Sequence, residues 1–166
     1  MSALHVPRQF GPKWLPPLVS IAIALAVGAV GGWATASSVT TWYATLEKPA
    51  FNPPNYLFGP VWTALYILMA VAAWLVWRAE PADGRRRTAL RLYAVQLALN
   101  LAWSVIFFGL RRPDLALVEV LVLFAAILGA ARAFARVDRR AGWMLVPYAA
   151  WVAFATLLNF EIWRLN

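Results

Sequence analysis

Five polar side chains interrupt otherwise apolar stretches of this chain: Gln96 and Asn100, then Glu119, then Asn159 and Glu161. In hydrocarbon an amide or carboxylate is costly unless it faces another helix or a cavity, so such residues point to where a membrane chain does its work. Aromatic residues stand beside them at helical spacing. Trp62 and Tyr66 are four apart, and Gln96, Asn100 and Trp103 follow at spacings of four and three, so each set shares one helical face and can aim at one cavity. A pocket walled by Trp62, Trp103 and Trp151 suits a large, flat, mostly apolar ligand, because indole faces stack on it and the amides fix its orientation. Asn100 and Asn159 could instead bond across helices, at about 0.6 to 2 kcal/mol each. Both roles stay open on the sequence.

Glu119 lies well inside its apolar run, where a carboxylate needs a partner. Arg111, Arg112 or Arg164 could reach it by snorkelling from the same side, and an ion pair or a ligand contact are both open to it. Asp114 follows Pro113 at the start of the same run, where an acid suits a helix N-terminus and a structural role. Gly28 and Gly32 form a G-x-x-x-G that would let another helix approach, either within the chain or in a homodimer. Ala126 and Ala130 are similarly open.

Several chemistries are excluded. The chain has no cysteine, and its one histidine, His5, lies in the polar N-terminal tail, so thiolate catalysis, disulfides and an intramembrane histidine metal site are ruled out. A ligated haem iron would have to use Met69, Met144 or a tyrosine. There is no nucleophile and base pair and no phosphate-cradling glycine loop. A net charge of +8 raises nucleic acid as a partner, but the arginines sit in short connections without a basic, aromatic-laced face, so none is expected.

The elements that must position these residues follow from composition. Of 166 residues 63% are apolar and 13% charged, too few charges to solvate a soluble globule of this size. Stretches near residues 15–37, 57–77, 90–108, 115–134 and 143–163 are each long enough to cross a hydrocarbon core of about 30 Å. The expected fold is an all-α membrane protein, a bundle of five transmembrane helices forming one domain over residues 1–166, with lipid as its first partner. A small-residue tract from Ala34 to Ser38 resembles a signal-peptide cleavage site, yet the apolar run before it is longer than a signal core, so a retained first span is expected. Pro147 is the one internal kink candidate.

Alternating span directions put Trp62, Tyr66, Asn100, Trp103, Glu119 and Asn159 in one half of the membrane, with Trp151 nearer the middle. Above them runs the connection 38–56, long and rich in prolines and aromatics: Trp42, Tyr43, Pro49, Phe51, Pro53, Pro54 and Tyr56. It could be an interfacial aromatic belt or a lid. Most Lys and Arg fall on the other side, which has Lys48, Arg111, Arg112 and Arg164 opposite it. In a cell membrane that asymmetry predicts a cytoplasmic N-terminus; in an outer membrane the rule does not apply directly.

The run Trp42-Tyr43-Ala44-Thr45-Leu46-Glu47-Lys48-Pro49, with Phe51-Asn52-Pro53-Pro54 and Pro60-Val61-Trp62-Thr63-Ala64-Leu65-Tyr66, resembles the first loop and second helix of the TspO/MBR family of translocator proteins and peripheral-type benzodiazepine receptors, in a bacterial member. So do Gln96 through Trp103 with Phe107-Phe108-Gly109, and Val146-Pro147-Tyr148 with Trp151 and Asn159 through Arg164. The resemblance covers roughly residues 42 to 164. It implies a five-helix bundle, often dimeric, that binds protoporphyrin IX, haem, sterols and isoquinoline or benzodiazepine-type drugs beneath the first loop, with no required cofactor. The family's ligand contacts fall on Trp62, Tyr66, Asn100, Trp103, Ala155 and Leu158, with its acidic residue at Glu119. Its tryptophans linked to light-dependent porphyrin breakdown match Trp62 and Trp151. Departures are Phe160 at the sterol-recognition tyrosine of animal members, which puts sterol binding there in doubt, and Leu115 at a family tryptophan. The implied function is tetrapyrrole transport or regulation; a porphyrin-degrading enzyme and a structural scaffold are the alternatives.

Overall fold

The computed structural model describes residues 15–79 and 84–166. The N-terminal tail, with His5, Arg8 and Lys13, lies outside them. Long runs of Ala, Leu and Val with few internal breakers become helices, because a backbone in lipid must satisfy its own hydrogen bonds. These are α1 (Leu15–Thr40), α2 (Trp42–Thr45), α3 (Asn55–Arg78), α4 (Arg85–Ser104), α5 (Pro113–Ala135), α6 (Arg139–Met144) and α7 (Val146–Leu165), with a π-helical turn, Val105–Gly109, extending α4. Among the described residues there is no strand.

Four segments are long and apolar enough to cross a membrane: Asn55–Arg78, Arg85–Gly109, Pro113–Ala135 and Arg139–Leu165. Pro17–Trp33 and Thr35–Thr45, bent by 46°, make a fifth when counted as one span. The chain is an all-α, multi-pass membrane protein.

Helix ends follow local chemistry. Gly84 takes the left-handed φ of 65° just before α4, which costs glycine little. Pro113 stands in the first turn of α5, where its missing N–H has no helical partner to lose. Asp114 beside it pairs with Arg112 at 2.6 Å. Asp138 caps α6 by accepting the Arg140 N–H at 2.9 Å, and the Arg140 guanidinium holds its carboxyl below the usual carboxylate range. At Pro147 the last span is broken outright: α6 ends at Met144 and α7 restarts at Val146 with the proline in its first turn.

The main core joins Met69, Ala70, Ala72 and Val76 of α3, all fully buried, to Val120, Leu123 and Ile127 of α5 and to Tyr148 and Val152 of α7. Alanines on α3 leave room for close helix packing. The α1 helix is fixed to α3 by Ser20 Oγ, which donates to the Ala70 carbonyl at 2.9 Å. A Cβ on Gly28 would stand 2.5 Å from the Tyr66 ring, whereas one on Gly32 would meet nothing within 4 Å. Of the glycine pair, only Gly28 admits a close neighbour within the chain.

The connection expected over 38–56 is shorter than that, since α1 runs to Thr40 and α2 takes four more residues. What remains is pinned down. Tyr43 Oη donates to Asn52 Oδ1 at 3.0 Å, the Lys48 ammonium stands 4.7 Å from the Tyr43 ring centre, and Phe51 meets Phe154 of α7 edge-on at 6.2 Å. Asn166 bonds Glu47 twice, accepting its N–H at 3.0 Å and donating to its carbonyl at 3.1 Å. A second small core of Tyr43, Phe107, Ala116, Leu158 and Ile162 lies beneath this segment.

Candidate functional site

One cavity of about 570 Å³ opens between α1, α3, α4 and α7, under α2. Each wall is a helical stripe. From α3 come Phe58, Trp62 and Tyr66 at spacings of four; from α7 come Trp151, Ala155, Leu158 and Asn159; from α1 come Leu25, Gly28, Gly32, Thr35 and Val39. Glycine on α1 leaves volume that side chains would otherwise fill.

The fourth wall depends on the π-helical turn. Leu110 N–H donates to the Val105 carbonyl at 2.8 Å, a wide loop that changes the angular register and brings both Phe107 and Phe108 to the cavity. Phe107 stacks on Trp103 with ring centres 5.2 Å apart, and Phe108 meets Tyr43 edge-on at 5.6 Å. Trp62 lies 5.8 Å from Tyr66 and 6.2 Å from Tyr148, and Phe58 stands edge-on to Trp151 at 5.9 Å. The indoles are thereby held as a nearly continuous aromatic wall.

The two amides are employed within the bundle. Tyr66 Oη donates to Asn100 Oδ1 at 2.6 Å, and Asn100 Nδ2 donates to Tyr148 Oη at 3.2 Å, linking α3, α4 and α7. Trp103 Nε1 donates to Asn159 Oδ1 at 3.1 Å while Asn159 Nδ2 donates to the Pro113 carbonyl at 2.8 Å. Of the two roles open on the sequence, the inter-helix one is filled for both. They still line the cavity, and by fixing Tyr66 and Trp103 they set the angle of two of its aromatic faces.

Eight of the nine expected positions thus line one cavity: Trp62, Tyr66, Asn100, Trp103, Trp151, Ala155, Leu158 and Asn159. Glu119 does not. Its carboxylate is buried without a hydrogen-bond partner among the described residues, and the arginines expected to reach it are engaged elsewhere or face away: Arg112 pairs with Asp114, Arg164 with Glu161 at 2.6 Å, and Arg111 is exposed. Gln96, expected on the face of Asn100, is fully buried in the core instead, its amide 3.8 Å from Met69 Sδ. Met69 and Met144 are away from the cavity, and Tyr66 has its hydroxyl committed to Asn100, which leaves haem iron little to bind. Phe160 is outward-facing beside Trp163, with ring centres 6.0 Å apart.

Sequence reading missed Tyr148, Phe58 and the Phe107-Phe108 pair. Phe58 was findable, standing four residues before Trp62. The phenylalanine pair was not, because a π-helical turn breaks the period on which face assignments rest.

Comparison with known proteins agrees with this architecture. The sequence model of the TspO/MBR family matches residues 20–164. The tryptophan-rich protein TspO of Archaeoglobus fulgidus is 41% identical over 149 residues, covering 90% of this chain and 95% of the relative. The translocator protein of Homo sapiens is 39% identical over 157 residues, covering 93% and 92%, and the tryptophan-rich sensory protein of Cereibacter sphaeroides is 43% identical over 125 residues, covering 75% and 77%. With the family model spanning nearly the whole chain and relatives of this identity aligned along most of their length, the chain belongs to the TspO/MBR family.

Proposed function

We propose that the protein binds a tetrapyrrole, protoporphyrin IX in the first instance, in the aromatic cavity beneath α2, and acts in tetrapyrrole transport or regulation. One observation carries this reading: a cavity of about 570 Å³ faced by Trp62, Trp103, Trp151 and Tyr66 with few polar groups. That volume lies within the usual range for sites that bury a drug-sized molecule, about 300 to 1,000 Å³. A metal-free macrocycle needs no axial ligand and gains from every stacked indole. Isoquinoline or benzodiazepine-type molecules satisfy the same chemistry. The arginine-rich end, by the positive-inside rule, faces the cytoplasm in a cell membrane.

Light-dependent oxidation of the bound porphyrin is a second reading, supported by the presence of both Trp62 and Trp151 on the cavity wall. Aerobic illumination separates the two, since only an enzyme yields a protein-dependent product that disappears when these tryptophans are replaced. For the binding reading, Trp62→Ala and Trp151→Ala are each expected to weaken protoporphyrin binding by about 1 to 3 kcal/mol, the range for stacking on a planar base, with helical content unchanged. Unchanged quenching titrations in both variants would remove stacking from the account.

A further inference from the structure

We propose that the outer face of α4 and α5 holds an anionic phospholipid, its phosphate gripped by Arg87, Arg91, Arg132 and Arg136. This inference is independent of the cavity and its ligand. Arg87 and Arg91 are one turn apart at the start of α4, and Arg132 and Arg136 are one turn apart at the end of α5. The two helices run in opposite directions side by side, with Tyr93 against Phe134 at 5.9 Å, so both pairs stand at the same membrane level. A direct stitch holds them there: Arg85 Nη1 donates to the Arg136 carbonyl at 3.1 Å.

The arginines point outward. The buried positions of α4 are Ala89, Gln96, Leu97 and Asn100, and those of α5 include Ile127, Ala130 and Phe134; at 100° per residue Arg87, Arg91 and Arg132 fall on the opposite sides, and all four arginines are exposed. None of the four has an ion-pair partner among the described residues, whereas Arg112, Arg140 and Arg164 each have one.

Below them the same outer face is apolar and exposed, with Val95 on α4 and Leu121, Val122 and Leu128 on α5. The surface therefore offers a strip for acyl chains capped by guanidinium groups where headgroups lie. The positive-inside rule accounts for basic residues anywhere on this side. It does not account for two unpaired arginine pairs brought together on neighbouring helices, nor for the choice of arginine throughout. A guanidinium fork matches phosphate oxygens in pairs, and basic pockets between spans recognise anionic headgroups. A second copy of the chain is disfavoured as occupant, because a two-fold parallel contact would set the arginines of one protomer against those of the other.

The test is native mass spectrometry of the whole protein released from micelles doped with equal phosphatidylglycerol and phosphatidylcholine. Wild type is expected to retain one phosphatidylglycerol preferentially. Replacing all four arginines by glutamine should reduce the retained ratio at least about tenfold, given surface attraction of roughly fivefold per arginine. Arg111→Gln with Arg112→Gln, at the other end of the bundle, should leave the ratio unchanged. Should the fourfold variant not fold, Arg87→Gln with Arg91→Gln, and Arg132→Gln with Arg136→Gln, are each expected to lose part of the preference. A wild-type ratio in these variants, an equal loss in the distant control, or a dimer that excludes phosphatidylglycerol from this face would each overturn the proposal.

Discussion

Replacing Asn100 with leucine is expected to lower the stability of the bundle by about 2 to 4 kcal/mol, because it strands two hydroxyl groups at once. Tyr66 and Tyr148 both bond this one amide, Tyr66 is 8% exposed and Tyr148 is fully buried. A buried donor or acceptor left unmade costs about 1 to 3 kcal/mol, whereas removing both partners together is nearly neutral. Adding Tyr148→Phe to Asn100→Leu should therefore recover part of the loss rather than deepen it. Thermal melting of the two single variants and the double variant in one detergent gives the coupling directly. Additive losses would mean that the three side chains do not act as a network. Porphyrin affinity should fall as well, through loss of the Tyr66 orientation, but with the stability loss preceding it.

Gly142→Ala is expected to destabilise by about 1 to 3 kcal/mol, although a glycine-to-alanine change in a helix ordinarily favours the helix by up to about 1 kcal/mol. The added methyl would stand 2.5 Å from Ala135 Cβ, 2.9 Å from Ala135 Cα and 3.0 Å from the Ala131 carbonyl. Two of these are backbone atoms of α5, so no side chain can turn aside and α6 must lift from its neighbour. Gly32→Ala is the natural comparison, since its methyl meets nothing within 4 Å and should be neutral or slightly stabilising in the absence of ligand. Melting temperatures that rank the two the other way would show that α6 is not seated on α5 as described.

These two glycines also mark what the sequence did and did not reveal. Gly28 and Gly32 draw the eye through their spacing, and the structure gives them different surroundings: Gly28 touches Tyr66, while Gly32 borders open cavity. Gly142 belongs to no pattern, and its importance comes from a neighbour seven residues away in a different helix. The spans and the aromatic stripes were legible because hydrocarbon thickness and the 3.6-residue period leave few alternatives. Which way an amide spends its bonds was not legible. Asn100 and Asn159 each required knowledge of the opposing helix, Tyr148 in one case and Trp103 in the other. Glu119 misled for a related reason: its depth resembles that of the cavity residues, but α5 turns it away from the cavity. Short helical extensions also eluded sequence reading, since α2 and the π-helical turn are set by packing of Trp42, Tyr43 and Phe107 rather than by period.

The central claim is that a flat ligand occupies the space between Trp62, Trp103 and Trp151, and filling that space tests it most directly. Ala155 lies on the α7 wall, lines the cavity and is only half-buried, so a phenylalanine there takes ligand volume without entering the packed core. Protoporphyrin IX would be titrated by absorbance into wild type and Ala155→Phe at matched helical content and melting temperature. The account predicts binding at least about tenfold weaker in the variant, since a rigid macrocycle cannot repack around the intruding ring. Equal affinity in the two proteins would contradict it and place the porphyrin elsewhere on the molecule.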